Sequence, residues 1–289
     1  MTPQVDRYYC RHPLATAVTG RAQVLFILPG EKSRPCTDVD SASVSELWAA
    51  LAIPISEADL RARMDGCPPA LEKLFGNLLD SPFVISGTSD RIPFATPEPA
   101  QRGRSNTCRR LVLGVTGAVQ AALLPQDTGR LLEFAERVDV VLTRAARRFV
   151  RPRALSALGL EVWGDPFDAR VPVPHIHLAA AADLVLVMPA TANAIFRLAH
   201  GTCSDLLSLV VAATRAPTVI VPSMNETMWH HPATQRNVEL LRGYGMYLVE
   251  PGPGSSIANG ASHQLGGAGF GLSNANLVST LEAVLRVSR

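Results

Sequence analysis

Charge is scarce in this sequence: Asp, Glu, Lys and Arg make up 18% of the residues, and the formal net charge is +2. So even a balance sets up no broad basic field for nucleic acid or an anionic membrane surface. Long hydrophobic runs are also missing. Mean hydropathy is +0.15, but the most apolar stretch, residues 178–196, is broken by Asp183, Pro189 and Asn193. No stretch reaches the roughly 18 apolar residues that a membrane span needs. Residues 1–11 lack the apolar core of a secretory signal. The five cysteines (Cys10, Cys36, Cys67, Cys108 and Cys203) are scattered, odd in number and form no CxxC pair. They suit reduced thiols in a cytoplasmic setting better than a disulfide framework. What is present is 289 residues, 47% of them hydrophobic. That rules out disordered and collagen-like chains and leaves room for one large domain or two ordinary ones.

A change of composition divides the chain. Residues 86–107 are rich in Pro, Gly, Ser and charge and nearly free of large apolar residues, as a linker would be. Ahead of it, residues 22–28 form a strand-like apolar run closed by Pro29-Gly30. Ser43 and Glu46 have capping-box spacing, with Val44, Leu47, Trp48 and Leu51 following at helical intervals. Ser56 opens a second short helix, and Pro68-Pro69 opens a third carrying Leu71, Leu74, Phe75, Leu78 and Leu79. The outline predicts a winged-helix-like α+β module over residues 1–88, a linker over 89–107, and a second domain over 108–289. In the second domain apolar runs at 111–115, 138–142, 184–188, 218–221 and 246–249 alternate with helical spacing. Continuous apolar strands between helices predict a parallel sheet covered on both faces, the Rossmann-like α/β class. Ligands of that class sit at the carboxyl ends of the strands.

Those strand ends carry the chemistry. Gly114-Val115-Thr116-Gly117 joins the first strand to a helix, where free N–H groups can hold a phosphate. The turn has no lysine and is not a P-loop, and a tight strand-to-helix connection alone would read the same way. Thr143 ends the second strand, as a crevice hydroxyl or a buried cap. The third ends in Pro189-Ala190-Thr191-Ala192-Asn193, where small residues let a flat ligand approach the backbone. The fourth ends in Pro222-Ser223-Met224-Asn225-Glu226-Thr227-Met228-Trp229. His175 and His177 alternate before the third strand, but no Asp, Glu or Cys accompanies them at metal-ligand spacing.

These segments resemble the homo-oligomeric flavin-containing cysteine decarboxylases, over roughly residues 109–260. That family includes phosphopantothenoylcysteine decarboxylase and the lantibiotic decarboxylases that act on a peptide's C-terminal cysteine. Its PASANT segment stands here as PATANA at 189–194, and its PxMNxxMW segment as PSMNETMW at 222–229. Residues 231–237 and 142–149 resemble the family's neighbouring segments. The resemblance implies FMN, with Thr116, Gly117 and Thr143 at its phosphate and Phe149 beside it. Pro189, Ala190, Thr191, Ala192 and Asn193 would line the isoalloxazine, joined by Ser223 and Met224. It further implies His175 as base, Asn225 on the substrate carboxylate, and Met228 and Trp229 near the substrate.

The resemblance breaks at one place. Phosphopantothenoylcysteine decarboxylases carry a late cysteine in an ACGD-type segment that helps return reducing equivalents to the product. Here the matching region is 254–260, and no cysteine follows Cys203. Ser256, Ile257, Ala258, Asn259 and Gly260 are then expected as a flap over the substrate, with glycines at 266, 267, 269 and 271 giving mobility. The implied reaction is oxidative decarboxylation of the C-terminal cysteine of a ribosomal precursor peptide, stopping at the enethiol. The alternatives are phosphopantothenoylcysteine decarboxylation and a non-catalytic flavoprotein regulator. The front module is similar to the leader-recognition modules of peptide-tailoring enzymes, which bind an extended peptide. Its third helix sets Lys73 against Glu72 and Asp80, which argues against DNA reading. A structural or oligomer-making role for it stays open. The family also implies a homo-oligomer, a trimer or dodecamer.

Overall fold

A computed structural model describes residues 7–11, 15–21, 23–28, 34–37, 39–51, 55–65, 67–81, 83–87, 108–251 and 277–288. The expected linker at 89–107 and the expected flap at 256–260, with its flanking glycines, lie outside the described residues.

The second half builds a doubly wound sheet. Its strands are β7 (Cys108–Val115), β8 (Ala135–Leu142), β9 (Glu161–Trp163), β10 (Leu184–Ala190), β11 (Thr218–Pro222) and β12 (Tyr247–Val249). Neighbouring pairs among them are all parallel, in the spatial order β12-β11-β10-β7-β8-β9. The period of two sorts each strand's side chains to opposite faces. Leu111, Leu113, Leu184, Leu186, Val219 and Val221 join one core with α4 (Leu124–Phe134) and α11 (Leu277–Val287). Val112, Val185, Val187 and Ile220 join the other with α6 (Pro174–Ala181), α7 (Ala192–Ala199), α8 (Leu206–Ala213) and α10 (Pro232–Gly243). All seven residues of β10 are buried, as a strand covered on both faces must be. The Rossmann-like sheet expected from the sequence is therefore present.

The first half does more than precede this sheet. β2 (Thr16–Gly20), β3 (Gln23–Ile27) and β4 (Arg34–Thr37) form an antiparallel meander, and β2 pairs with β12 through Leu248↔Thr19 and Val249↔Val18. The result is one nine-stranded sheet. Both faces of the meander are apolar. Val18, Leu25 and Ile27 complete the α4–α11 core, while Ala17, Val24 and Phe26 pack under Trp48, Phe75 and Phe83 of the front segment. That second cluster draws on α1 (Ser41–Ala50), α2 (Glu57–Met64) and α3 (Pro69–Leu79). Beside them lies a small sheet of β1 (Tyr8–Arg11), β5 (Ile55–Ser56) and β6 (Val84–Gly87), in the order β5-β1-β6. A hairpin with two apolar faces needs cover on both sides, and the flavin half provides one of them.

A buried ionic knot lies at this junction. Arg242 of α10, 3% exposed, donates to Thr19 Oγ1 of β2 (2.8 Å), to Ser45 Oγ of α1 (3.0 Å) and to the buried Glu250 carboxylate. Thr19 Oγ1 also donates to Glu250 at 2.8 Å.

Local signals held in part. Ser56 caps α2 by accepting from the Asp59 N–H at 3.1 Å, and α3 opens at Pro69. Ser43, expected as the cap of α1, is displaced by Asp40, whose carboxylate accepts from the N–H groups of both Ala42 and Ser43. A carboxylate held by two amides outcompetes a single hydroxyl, so the helix begins two residues before Ser43. The helix expected directly after Gly117 begins as a 3₁₀ turn, Val119–Leu123, with α4 following.

Candidate active-site cleft

In a sheet with this strand order, the crevice opens where the winding reverses, between β7 and β10. A cleft of about 790 Å³ lies there. Thr116 joins its two sides. Its Oγ1 donates to the Pro189 carbonyl (2.7 Å) and accepts from the Thr191 N–H (3.0 Å). Thr191 in turn caps α7 by accepting from the Ala194 N–H. Thr143 serves the β8 side in the same manner, donating to the Val115 carbonyl (3.0 Å) and accepting from the Ala146 N–H (3.3 Å).

With both hydroxyls engaged internally, the donors left for an anion are other groups. Among the described residues, the N–H groups of Gly117, Arg144 and Ala145, all cleft-lining, have no hydrogen-bond partner. The guanidinium-bearing Arg144 and Arg148 line the same cleft and form no ion pair among the described residues. Arg197, also lining it, is neutralised by Asp205 at 3.0 Å. Asp205 closes a capping box with Ser208 at the start of α8. Arg147 lies elsewhere, across Gly164, where a Cβ would meet its Nη2 at 1.7 Å. Free amides beside two unpaired guanidiniums form a dianion cradle, so the residues present fit a phosphate.

Two glycines make the cradle possible. A Cβ on Gly117 would lie 2.4 Å from the Ala145 Cβ, so the loops after β7 and β8 approach as closely as they do only because Gly117 lacks one. A Cβ on Gly114 would meet Leu207 at 2.2 Å, and Leu207 forms part of the cleft wall.

The cleft brings together seven of the residues singled out from the sequence: Thr116, Gly117, Thr143, Thr191, Ala192, Asn193 and Met228. Pro189, Ala190, Ser223 and Met224 do not line it. Ala190 and Ser223 are buried, and the Ser223 N–H donates to the Ala190 carbonyl at 2.8 Å. Phe149 is 40% exposed and outside the cleft lining. Asn225 caps α9 (Glu226–Trp229), its Oδ1 accepting from the Met228 N–H at 2.8 Å, which ties it to the cleft wall. Trp229 is buried. His175 does not line the cleft. It lies in the first turn of α6, the helix that leads from the carboxyl end of β9 back to the start of β10. Its Nδ1 is buried with no hydrogen-bond partner.

Sequence reasoning missed Arg144, Arg148, Arg197, Ser204, Asp205 and Ser208, which also line the cleft. Arg144 and Arg148 stand one and five residues past Thr143, and Asp205 and Ser208 have capping spacing. Those signals were readable, but only the sheet order shows that they converge. No group of metal ligands and no helix long and apolar enough to cross a membrane occurs among the described residues.

Residues 99–268 match the Flavoprotein family model. The coenzyme A biosynthesis bifunctional protein CoaBC of Mycobacterium bovis is 40% identical over 147 residues, covering 50% of this chain and 35% of its own length. The chain thus spans about a third of the curated relatives it matches. The FMN-dependent cysteine decarboxylase SpaF has 32% identity and a TM-score of 0.52, over 62% of this chain and 97% of SpaF. A PPC decarboxylase variant complexed with pantothenoylaminoethenethiol has 26% identity and a TM-score of 0.53, over 60% and 96% of the two chains. On the family match and the near-complete coverage of SpaF, the chain belongs to the flavoprotein family, alongside the FMN-dependent cysteine decarboxylases.

Proposed function

We propose that the protein is an FMN-dependent decarboxylase that acts oxidatively on the C-terminal cysteine of a precursor peptide and releases an aminoenethiol. FMN is the cofactor. The observation that carries the reading is the cleft at the sheet's reversal point, with three free amides and two unpaired arginines beside a wall of small residues. Gly117, Arg144, Ala145 and Arg148 would hold its phosphate, and the segment 189–193 would flank its ring system. Bound FMN supplies the two-electron oxidation at the cysteine Cβ. The resulting thiocarbonyl is an electron sink β to the carboxylate, so CO₂ leaves and the enethiol remains.

The chain's own groups orient and deprotonate. Asn225 offers its side-chain amide N–H to the substrate carboxylate while its Oδ1 stays on the Met228 N–H. His175 takes up the thiol proton, and its Nδ1, buried without an internal partner, is the atom of that ring left to be satisfied on binding. Val173 and Ile176, exposed and within two residues of His175 in the chain, support a homo-oligomer in which a second copy covers this turn.

Two features support a peptide substrate. No cysteine follows Cys203, so the group that would reduce the product in the coenzyme A branch has no counterpart. The front segment ends the large sheet with β4, whose outer edge pairs with no described strand and suits an added leader strand. The second reading, phosphopantothenoylcysteine decarboxylation, is favoured by the 40% identity to the coenzyme A biosynthesis protein.

The test offers both substrates to the holoenzyme. A Cys-ending peptide should lose about 46 Da, one CO₂ and two hydrogens, with His175→Asn and Asn225→Asp lowering turnover ~100-fold or more. Turnover of phosphopantothenoylcysteine alone would establish the second reading. Wild-type rates in both variants would remove these residues from the chemistry.

A further inference from the structure

α6, eight residues long, opens on Pro174 and buries Leu178 and Ala179, but its first turn is uncapped, its N-cap being Val173. Yet that turn carries His175, whose role in the proposed reaction needs a fixed geometry. Something other than capping must hold it.

The sheet supplies a tether. Asp139 of β8 is fully buried and accepts from Trp163 Nε1 (2.9 Å) and from Arg110 Nε (2.5 Å). Arg110 of β7 is only 14% exposed and reaches outward, its Nη2 lying 3.1 Å from His177 Nε2. A guanidinium only donates, so in this contact His177 accepts at Nε2. The His177 ring also rests against Trp163, centroids 6.1 Å apart and planes tilted by 37°. Arg170 covers Trp163 with its guanidinium 3.8 Å from the ring centroid. A buried carboxylate thus fixes an arginine, and the arginine fixes the histidine two residues past His175.

We propose that Asp139, Arg110 and His177 form a positioning chain that sets the first turn of α6 and, through it, the approach of His175 to the substrate. The inference rests on the reading of His175 given above, and on neither choice of substrate. Asp139 provides the charge anchor, Arg110 transmits its direction, and His177 converts that direction into the rotation of α6.

The test compares His177→Phe, which keeps the ring contact with Trp163 but loses the acceptor, with His177→Gln, whose amide oxygen can accept from Arg110. On whichever substrate the holoenzyme turns over, His177→Phe should lower kcat about 10-fold or more with KM and flavin content unchanged. His177→Gln should recover most of that loss. Unchanged kcat in His177→Phe, while His175→Asn is inactive, overturns the positioning chain alone. Full activity in His175→Asn overturns the reading on which it rests. An imidazole nitrogen NMR spectrum needs no turnover. It should show His177 accepting at Nε2 in the wild type and displaced His175 signals in His177→Phe, and His175 signals that do not move would overturn the proposal.

Discussion

Protein with Gly117→Ala should purify without flavin colour. The added Cβ would stand 2.4 Å from the Ala145 Cβ, so the loops after β7 and β8 must move apart. Neither is the far end of a flexible side chain, and relief has to come from the backbone. Overpacking of this kind costs on the order of 1–3 kcal/mol. Here the cost falls on the geometry of the free N–H groups rather than on the core, so it should appear as weaker FMN binding, by about ten- to a hundredfold. The thermal stability of the flavin-free protein should fall by no more than a cost of that size. Titration of the stripped variant with FMN, followed by flavin fluorescence, measures the effect. An affinity equal to that of the wild type would place the phosphate elsewhere.

Arg242→Met should be the most damaging single substitution outside the cleft. It leaves the Glu250 carboxylate buried without its cation and removes donors from Thr19 and Ser45 at the same time. Breaking a buried pair from one side typically costs about 3–5 kcal/mol. The double variant Arg242→Met/Glu250→Leu should regain much of that loss, because no uncompensated charge remains. Urea unfolding of the three proteins measures both steps. The same arrangement predicts that removing residues 1–88 would strip β12 of its β2 partner and uncover Val249 and its neighbours in the α4–α11 core. Leader binding is therefore better tested by substitutions in the full chain than by truncation. An Arg242→Met midpoint equal to the wild type would mean that the front strands are not locked to the sheet.

What could be read from the sequence divides along physical lines. β7, β10 and β11 announce themselves because a strand covered on both faces must be apolar throughout. Their ends at Gly114-Val115-Thr116-Gly117, Pro189–Asn193 and Pro222–Trp229 carry enough unusual polar and small residues to mark a site. The meander β2–β4 could not be foreseen as part of that sheet. Its join to β12 links residues more than two hundred positions apart, and strands this short carry no label for their partner. The cleft was legible only in part for a similar reason. Thr116 and Thr143 stood out as polar residues at strand ends, yet their hydroxyls hold the loops together. Arg144 and Arg148 stood only inside the resembling segment 142–149, with no role of their own, until the strand order placed them in the cleft with Gly117. His177, given no role beside His175, turns out to link a surface helix through Arg110 to the buried Asp139.

The central claim is that this flavoprotein oxidises and decarboxylates a cysteine carboxylate. Anaerobic mixing of the FMN-loaded protein with one equivalent of a Cys-ending peptide tests it most directly. The account predicts bleaching of the flavin absorbance band, with CO₂ and a peptide lighter by about 46 Da formed in equal amount to reduced flavin, and colour returning when oxygen is admitted. A flavin that stays oxidised with the peptide and with phosphopantothenoylcysteine alike would contradict it.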